Sequence, residues 1–368
     1  MDDLSFVGAA LAANIELSAR NLISAHQGKM NMSEQNISAQ QVSELQQKLS
    51  LVQDEVAKVI VGQREVILQL LMGMLAGGHC LLEGVPGLAK TLMVSSLAQS
   101  LELNFTRVQF TPDLMPSDII GTEILETDHD SGERFFKFQQ GPVFTNILLA
   151  DEINRTTPKT QAALLEAMQE KKVSYAGQSY ALPKPFFVLA TQNPVEQAGT
   201  YPLPEAQLDR FLLFIRVGYP SAADEIEVLR RTTGNVISQI NAVLHADDII
   251  ALQKLVRDVE VADPLYDYVS RLVRATRPDD SPSKSVKEFV RWGAGPRAGQ
   301  ALILCAKARA FLAGRFAATV DDIKAVAHSV LRHRILLNFQ AEAENMQTDS
   351  VIDALLSDIS LPTSPLGQ

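Results

Sequence analysis

Cysteine is almost missing from this chain: 368 residues carry two, Cys80 and Cys305, each alone inside an apolar run. Two isolated thiols build no disulfide framework, and without neighbouring histidine pairs they make no zinc site. Both are expected to be buried, as free cysteine usually is. Long hydrophobic runs are missing too. No stretch reaches the roughly 18 apolar residues of a membrane-crossing helix, so no span is expected. Positive charge is in deficit, with 33 Lys and Arg against 43 Asp and Glu, a net charge of −10 and a pI near 5.2. Nucleic-acid binders carry the opposite balance, which makes DNA or RNA a poor choice of main partner. The opening Met1-Asp2-Asp3-Leu4 places acids where a secretory leader needs positive charge, and the expected location is cytoplasmic.

What is present is a globular composition, 46% hydrophobic and 21% charged, in a chain longer than one average domain. Residues 1–41 read as a polar tail, because Ser33-Glu34-Gln35-Asn36-Ile37-Ser38-Ala39-Gln40-Gln41 buries little surface, although 6–17 is Ala-rich enough for a short helix. From 42 to 60 apolar residues recur at helical spacing, and a second helix is expected over 64–76. Short apolar runs then alternate with helical patterns. Strands are expected at 80–83, 105–110, 147–150, 186–191 and 211–215. Such runs separated by helices argue for a parallel sheet covered on both faces. After Tyr219-Pro220 only helical periodicity remains, over 222–232, 246–259, 264–275, 297–313, 320–338 and 350–359. The expected organisation is therefore a tail (1–41), an α/β core (42–220) and an all-helical second domain (221–368).

Gly84-Val85-Pro86-Gly87-Leu88-Ala89-Lys90-Thr91 follows the pattern G-x-x-x-x-G-K-[ST] except that Ala89 replaces the last glycine. In such a loop successive N–H groups wrap phosphates, Lys90 supplies charge to the β and γ oxygens, and Thr91 offers a hydroxyl to Mg²⁺. The following helix turns its positive dipole end to the same anions. Ala89 suits the loop provided its φ is negative. Sixty residues on, Asn146-Ile147-Leu148-Leu149-Ala150-Asp151-Glu152 is an apolar strand that delivers two acids to the C-terminal edge of a parallel sheet, where ligands bind. Asp151 is expected in the Mg²⁺ shell, and Glu152 as the base that orients and deprotonates the attacking water. These residues point to a Mg²⁺-dependent ATPase.

Further strings extend the pattern: Gly62-Gln63, Ala150-Asp151-Glu152-Ile153-Asn154-Arg155, Ala190-Thr191-Gln192-Asn193-Pro194, Leu203-Pro204-Glu205-Ala206-Gln207-Leu208-Asp209-Arg210-Phe211 and Gly295-Pro296-Arg297. With the loop they resemble the MoxR group of AAA+ ATPases over roughly residues 42–365. Ala in place of Gly at 89 is usual in that group. The resemblance implies a P-loop AAA+ core with β-hairpin insertions, followed by a small helical lid. It also assigns roles. Asn193 resembles the polar sensor of the lytic water, Arg210 the arginine finger that reaches a neighbour's γ-phosphate, and Arg297 the second sensor, on a lid helix. Val61-Gly62-Gln63 would lie beside adenine. Two insertions read as hairpins, one with strands at 122–125 and 135–138 around a turn at 128–132, the other with strands at 172–175 and 179–182 and Gly177 at its turn.

The implied activity is that of an ATP-driven homo-oligomeric ring, a hexamer by resemblance, that remodels or matures partner proteins, typically those with von Willebrand factor A domains. A chelatase-type motor for metal insertion is the alternative, and a nucleic-acid motor a weaker one given the acidity. A nucleotide-switched scaffold fits poorly with Glu152, Asn193 and Arg210 all present. The basic run Arg332-His333-Arg334 reads as a solvated helix face with no catalytic role.

Overall fold

A computed structural model describes residues 39–127, 134–194, 199–234 and 238–362, so residues 1–38 of the expected tail and the first hairpin's turn lie outside the described residues. Ala39, Gln40 and Gln41 do not belong to a tail: they open helix α1 (Ala39–Ala57). The described residues form two compact units, one within 55–246 and one combining 247–362 with 39–54.

The first unit is α/β. After α2 (Arg64–Leu75) come β1 (Cys80–Glu83), α3 (Lys90–Ser100), β2 (Phe105–Gln109), α4 (Pro116–Ile120), β3 (Gly121–Thr127), β4 (Arg134–Gln140), β5 (Ile147–Asp151), α5 (Pro158–Glu170), β6 (Lys172–Tyr175), β7 (Gln178–Ala181), β8 (Phe187–Gln192), α6 (Glu205–Leu208), β9 (Leu213–Arg216) and α7 (Ala222–Thr232). Five strands make a parallel sheet in the order β2-β5-β8-β1-β9. The apolar runs that mark these strands are buried on both faces. Leu81, Leu82, Leu148, Leu149 and Leu189 have no exposed surface, and burying each such side chain stabilises by about 1.5–3 kcal/mol. Cys80 and Cys305 are both buried, as expected, and are not joined to each other. α5 begins where Thr157 and Pro158 place it and ends at Lys171, a left-handed residue.

His79 staples this sheet. Its Nδ1 accepts the Val188 N–H at 3.0 Å while Nε2 donates to the Met168 carbonyl at 3.2 Å, which fixes a neutral tautomer. Burial pushes its pKa down to about 4.

Both insertions are antiparallel hairpins, β3 with β4 and β6 with β7. Phe138 of the first stacks on Tyr180 of the second at 4.3 Å, with Tyr175 and Phe144 at 5.3 and 6.0 Å, so one hairpin base rests on the other. Farther out, Leu125 and Phe136 pair across the first hairpin and stay exposed.

The second unit holds α8 (Ala246–Asp258), α9 (Asp263–Ala275), α10 (Lys284–Phe289), β10 (Val290–Trp292), α11 (Pro296–Leu312), α12 (Val320–Leu331), β11 (Leu336–Leu337), α13 (Phe339–Ala343) and α14 (Thr348–Asp358). Its described residues are mainly helical, with a two-stranded β10–β11 ladder and an isolated bridge between Glu260 and Ala317. The periodicity read through 338 stops at Leu331, where the chain turns with the Arg334 and Ile335 N–H groups both on the Leu331 carbonyl and then pairs Leu336 and Leu337 with β10 instead of continuing a helix. Arg332-His333-Arg334 is not a solvated face. Arg332 donates through Nε and Nη2 to the two oxygens of Asp349 on α14, both at 2.8 Å, and His333 is buried.

Contacts divide the chain differently from composition. Residues 221–246 group with the α/β unit because Arg231 on α7 donates to the carbonyls of Ala57 and Lys58, and Val243 and Leu244 donate to that of Ser100.

Candidate nucleotide site

β1 feeds the glycine loop at the C-terminal edge of the sheet. Gly84 is pressed between strand ends: its N–H donates to the Gln192 carbonyl at 3.4 Å, and a Cβ there would lie 2.9 Å from the Val217 carbonyl oxygen. Gly87 has φ +86° and Ala89 φ +53°. The condition of a negative φ at Ala89 is therefore not met. A left-handed alanine costs about 1–2 kcal/mol more than glycine would at the same dihedrals. The turn closes anyway, because α3 must begin at the next residue for the loop amides to converge.

Lys90 is the first residue of α3 and its Nζ donates to the Gly84 carbonyl at 2.5 Å. Burial lowers its pKa, against the pull of Asp151 and Glu152. Both carboxylates thus act on the ammonium across the loop. Thr91, next on the helix, is half-buried.

The acid pair is fixed from two neighbouring strands. Asp151 ends β5, and its Oδ1 accepts from Thr191 Oγ1 of β8 at 2.6 Å. Its Oδ2 accepts from Arg107 of β2, through Nε at 3.0 Å and Nη2 at 2.7 Å. Glu152 turns out of the strand at φ +57° with its N–H on Thr191 Oγ1 at 2.9 Å. Its Oε2 accepts from Gln109 Nε2 at 2.8 Å and from Arg155 Nη1 at 3.0 Å. Thr191 is thereby a hub, donor to one acid and acceptor from the backbone of the other. Asn193 follows β8 directly and is buried. Since β8 lies between β5 and β1, with Gln192 opposite Glu83, Asn193 stands at the level of the loop, between it and the acids.

Val61-Gly62-Gln63 approaches the same edge. Gly62 and Gln63 are successive left-handed residues at φ +68° and +55°. Gln63 Nε2 donates to the Gly218 carbonyl at 2.8 Å, one residue beyond Val217, and a Cβ on Gly62 would lie 2.9 Å from Asp224 Oδ2 of α7. This segment and the loop are held by the same exit from β9.

One expected site residue of this unit does not join the group. Arg210 lies before β9, not at its first position: the strand starts at Leu213, opposite Cys80, and the Leu212 N–H bonds to the His79 carbonyl. Its backbone is therefore at the N-terminal edge of the sheet, while Gly84, Asp151 and Asn193 are at the C-terminal edge, and its side chain is exposed. Arg297 belongs to the helical unit, as the second residue of α11, also exposed.

Arg107, Gln109, Arg155 and Thr191 were given no role by the sequence. The available signal was the spacing of Arg107 and Gln109, which puts both on one face of a strand. Nothing local says that this face meets the acids 43 and 44 residues away.

Residues 79–213 match the family described as "ATPase family associated with various cellular activities (AAA)", and 283–355 match "AAA lid domain". The chain is 46% identical to Chaperone MoxR1 of Mycobacterium tuberculosis over 309 residues, 84% of this chain and 81% of that protein. It is 32% identical to Protein MoxR of Paracoccus denitrificans over 321 residues, 83% of this chain and 94% of that one. A crystal structure of a candidate ATPase from Cytophaga hutchinsonii superposes with a TM-score of 0.81 at 45% identity, covering 88% of this chain and 97% of the other. With the parallel sheet, the phosphate loop and the acid pair, these likenesses establish that the chain belongs to the MoxR group of AAA+ ATPases.

Proposed function

We propose that this ATPase is a Mg²⁺-dependent ring motor that remodels or matures partner proteins, with each active site shared between adjacent subunits. The observation that carries the reading is the position of Arg210, at the sheet edge opposite the loop and the acid pair. One strand of four residues separates those edges by about 13 Å, beyond comfortable reach of an arginine on the same chain. In a ring the same arginine faces the neighbour's nucleotide.

The residues present fit a nucleotide-bound Mg²⁺. The Thr91 hydroxyl and the Asp151 carboxylate are the hard oxygen donors that this ion takes, and both acids act on Lys90 beside the loop. Among the described residues no group of three His, Cys, Asp or Glu gathers, so the remaining ligands would be phosphate oxygens and water. When bound, the ion would neutralise negative charge on the phosphates. Lys90 and the α3 amides hold the β and γ phosphates, Asn193 positions the attacking water, and Glu152 accepts its proton. Arg210 of the adjacent subunit offsets charge on the γ-phosphoryl group, and Arg297 is the proposed second sensor of that group.

The name Chaperone MoxR1 of the mycobacterial relative supports action on proteins. Proteins with von Willebrand factor A domains are the proposed partners and a hexamer the proposed ring. Mixing tests the shared site. Lys90→Ala subunits cannot hold nucleotide but keep Arg210, whereas Arg210→Ala subunits bind nucleotide and lack the finger. Each alone should be nearly inactive, and the mixture should regain part of the activity. Normal hydrolysis by Arg210→Ala alone overturns the model.

A further inference from the structure

Arg107 has no part in the chemistry above, yet it is bound to the residue proposed as metal ligand. It stands on β2, an edge strand of the sheet, with nearly half of its side chain exposed, while that of Asp151 is 13% exposed. Two of its N–H groups converge on Asp151 Oδ2, and Nη2 also donates to Gln109 Oε1 at 2.9 Å. Thr191 occupies Oδ1. Both oxygens of the carboxylate therefore already have protein donors. A guanidinium and a hydrated Mg²⁺ seek the same anionic lone pairs, and a carboxylate oxygen bearing two N–H donors has little left for a coordinated water or the ion itself.

We propose that Arg107 is a resident counter-cation of Asp151 that a divalent metal must displace. The inference rests on the reading of Asp151 as a metal ligand. Metal entry is then an exchange of one cation for another. Adjacent carboxylates at Asp151 and Glu152 would otherwise repel each other and attract stray divalent ions. With Arg107 in place, metal arriving alone gains little, whereas metal arriving on a nucleotide adds the phosphate contacts of the loop and Lys90. The exposed stem lets the guanidinium leave towards water without disturbing the core, and Gln109 supplies the acceptor that retains it nearby. Arg107 acts as a positioning residue: it sets how readily Asp151 can turn to the metal.

The test is Mn²⁺ binding, read by electron paramagnetic resonance, to the full chain with a non-hydrolysable ATP analogue. Arg107→Gln removes the competitor and should tighten Mn²⁺ binding about three- to tenfold, as loss of a partly exposed charge-assisted pair allows. Arg107→Lys keeps a charge but not the fork, and should fall between the two. Circular dichroism melting checks that both variants are folded, as expected for a half-exposed side chain. Unchanged or weaker Mn²⁺ binding by Arg107→Gln overturns the proposal. Asp151→Asn separates the two layers. If it fails to weaken Mn²⁺ binding, the metal-ligand reading falls and takes this inference with it. If it weakens binding while Arg107→Gln does not tighten it, the role of Arg107 alone is wrong.

Discussion

Replacing Glu152 by Gln should stop turnover and spare nucleotide binding. The carboxylate sits one residue beyond Asp151 and holds two donors on a single oxygen, Gln109 Nε2 at 2.8 Å and Arg155 Nη1 at 3.0 Å. A glutamine side chain has the same shape and keeps one carbonyl oxygen able to accept both. The left-handed turn at 152 depends on the backbone N–H to Thr191, which the substitution does not touch. Only the second oxygen changes, from a proton acceptor to an amide donor. General-base catalysis contributes about 10²–10⁴ in rate, or about 3–5 kcal/mol of barrier. Phosphate release by the variant should fall by that factor, while a fluorescent ATP analogue should bind within about threefold of wild type. Turnover within about threefold of wild type means the water loses its proton elsewhere. Loss of nucleotide binding means Glu152 shapes the loop and is more than a base.

Two further outcomes concern stability. Neutral His79 has a pKa of about 4 when folded, against about 6.5 when unfolded, so the unfolded chain binds more protons between those values and stability falls as pH drops through that window. Urea midpoints should show about 2 kcal/mol lost from this group between pH 7 and pH 5, absent in His79→Gln; equal pH slopes would refute it. Asp322 is wholly buried on α12 between Arg309 at 2.5 Å and Arg315 at 2.6 Å, and caps its helix through Thr319, which holds its pKa down to about 2. Its contribution is present above about pH 4 and lost as pH falls towards 2. Asp322→Asn should cost about 2–3 kcal/mol in urea unfolding, less than the roughly 3–5 of a fully dry pair, because both arginines keep about a third of their surface in water. An unchanged midpoint would show that the pair adds nothing.

Some of this protein is written locally. Cys80-Leu81-Leu82 followed by a glycine loop, and Ile147-Leu148-Leu149-Ala150 followed by two acids, each contain their own strand and its exit, because apolar continuity and turn chemistry act between near neighbours. From these alone come the parallel sheet, the phosphate loop with Lys90 and Thr91, and the carboxylates at the sheet's edge. Tertiary structure decided the rest. Arg107 and Gln109 reach the acids because β2 pairs with β5, and Thr191 because β8 lies on its other side. Strand order is a property of the whole sheet and leaves no trace in any short window. Ala89 adopts a left-handed φ because the strand and helix it joins are already placed. Arg332 pairs with Asp349 because α14 returns past the end of α12, where charge pattern alone reads as solvent. Arg210, adjacent to motif residues in sequence, ends at the opposite edge because β9 runs parallel to β1 and the residue precedes the strand. Residue types and spacing set which chemistry is available. The folded sheet sets which side chains share one edge, since contacts between strands depend on pairing across 40 or more residues and on nothing nearer.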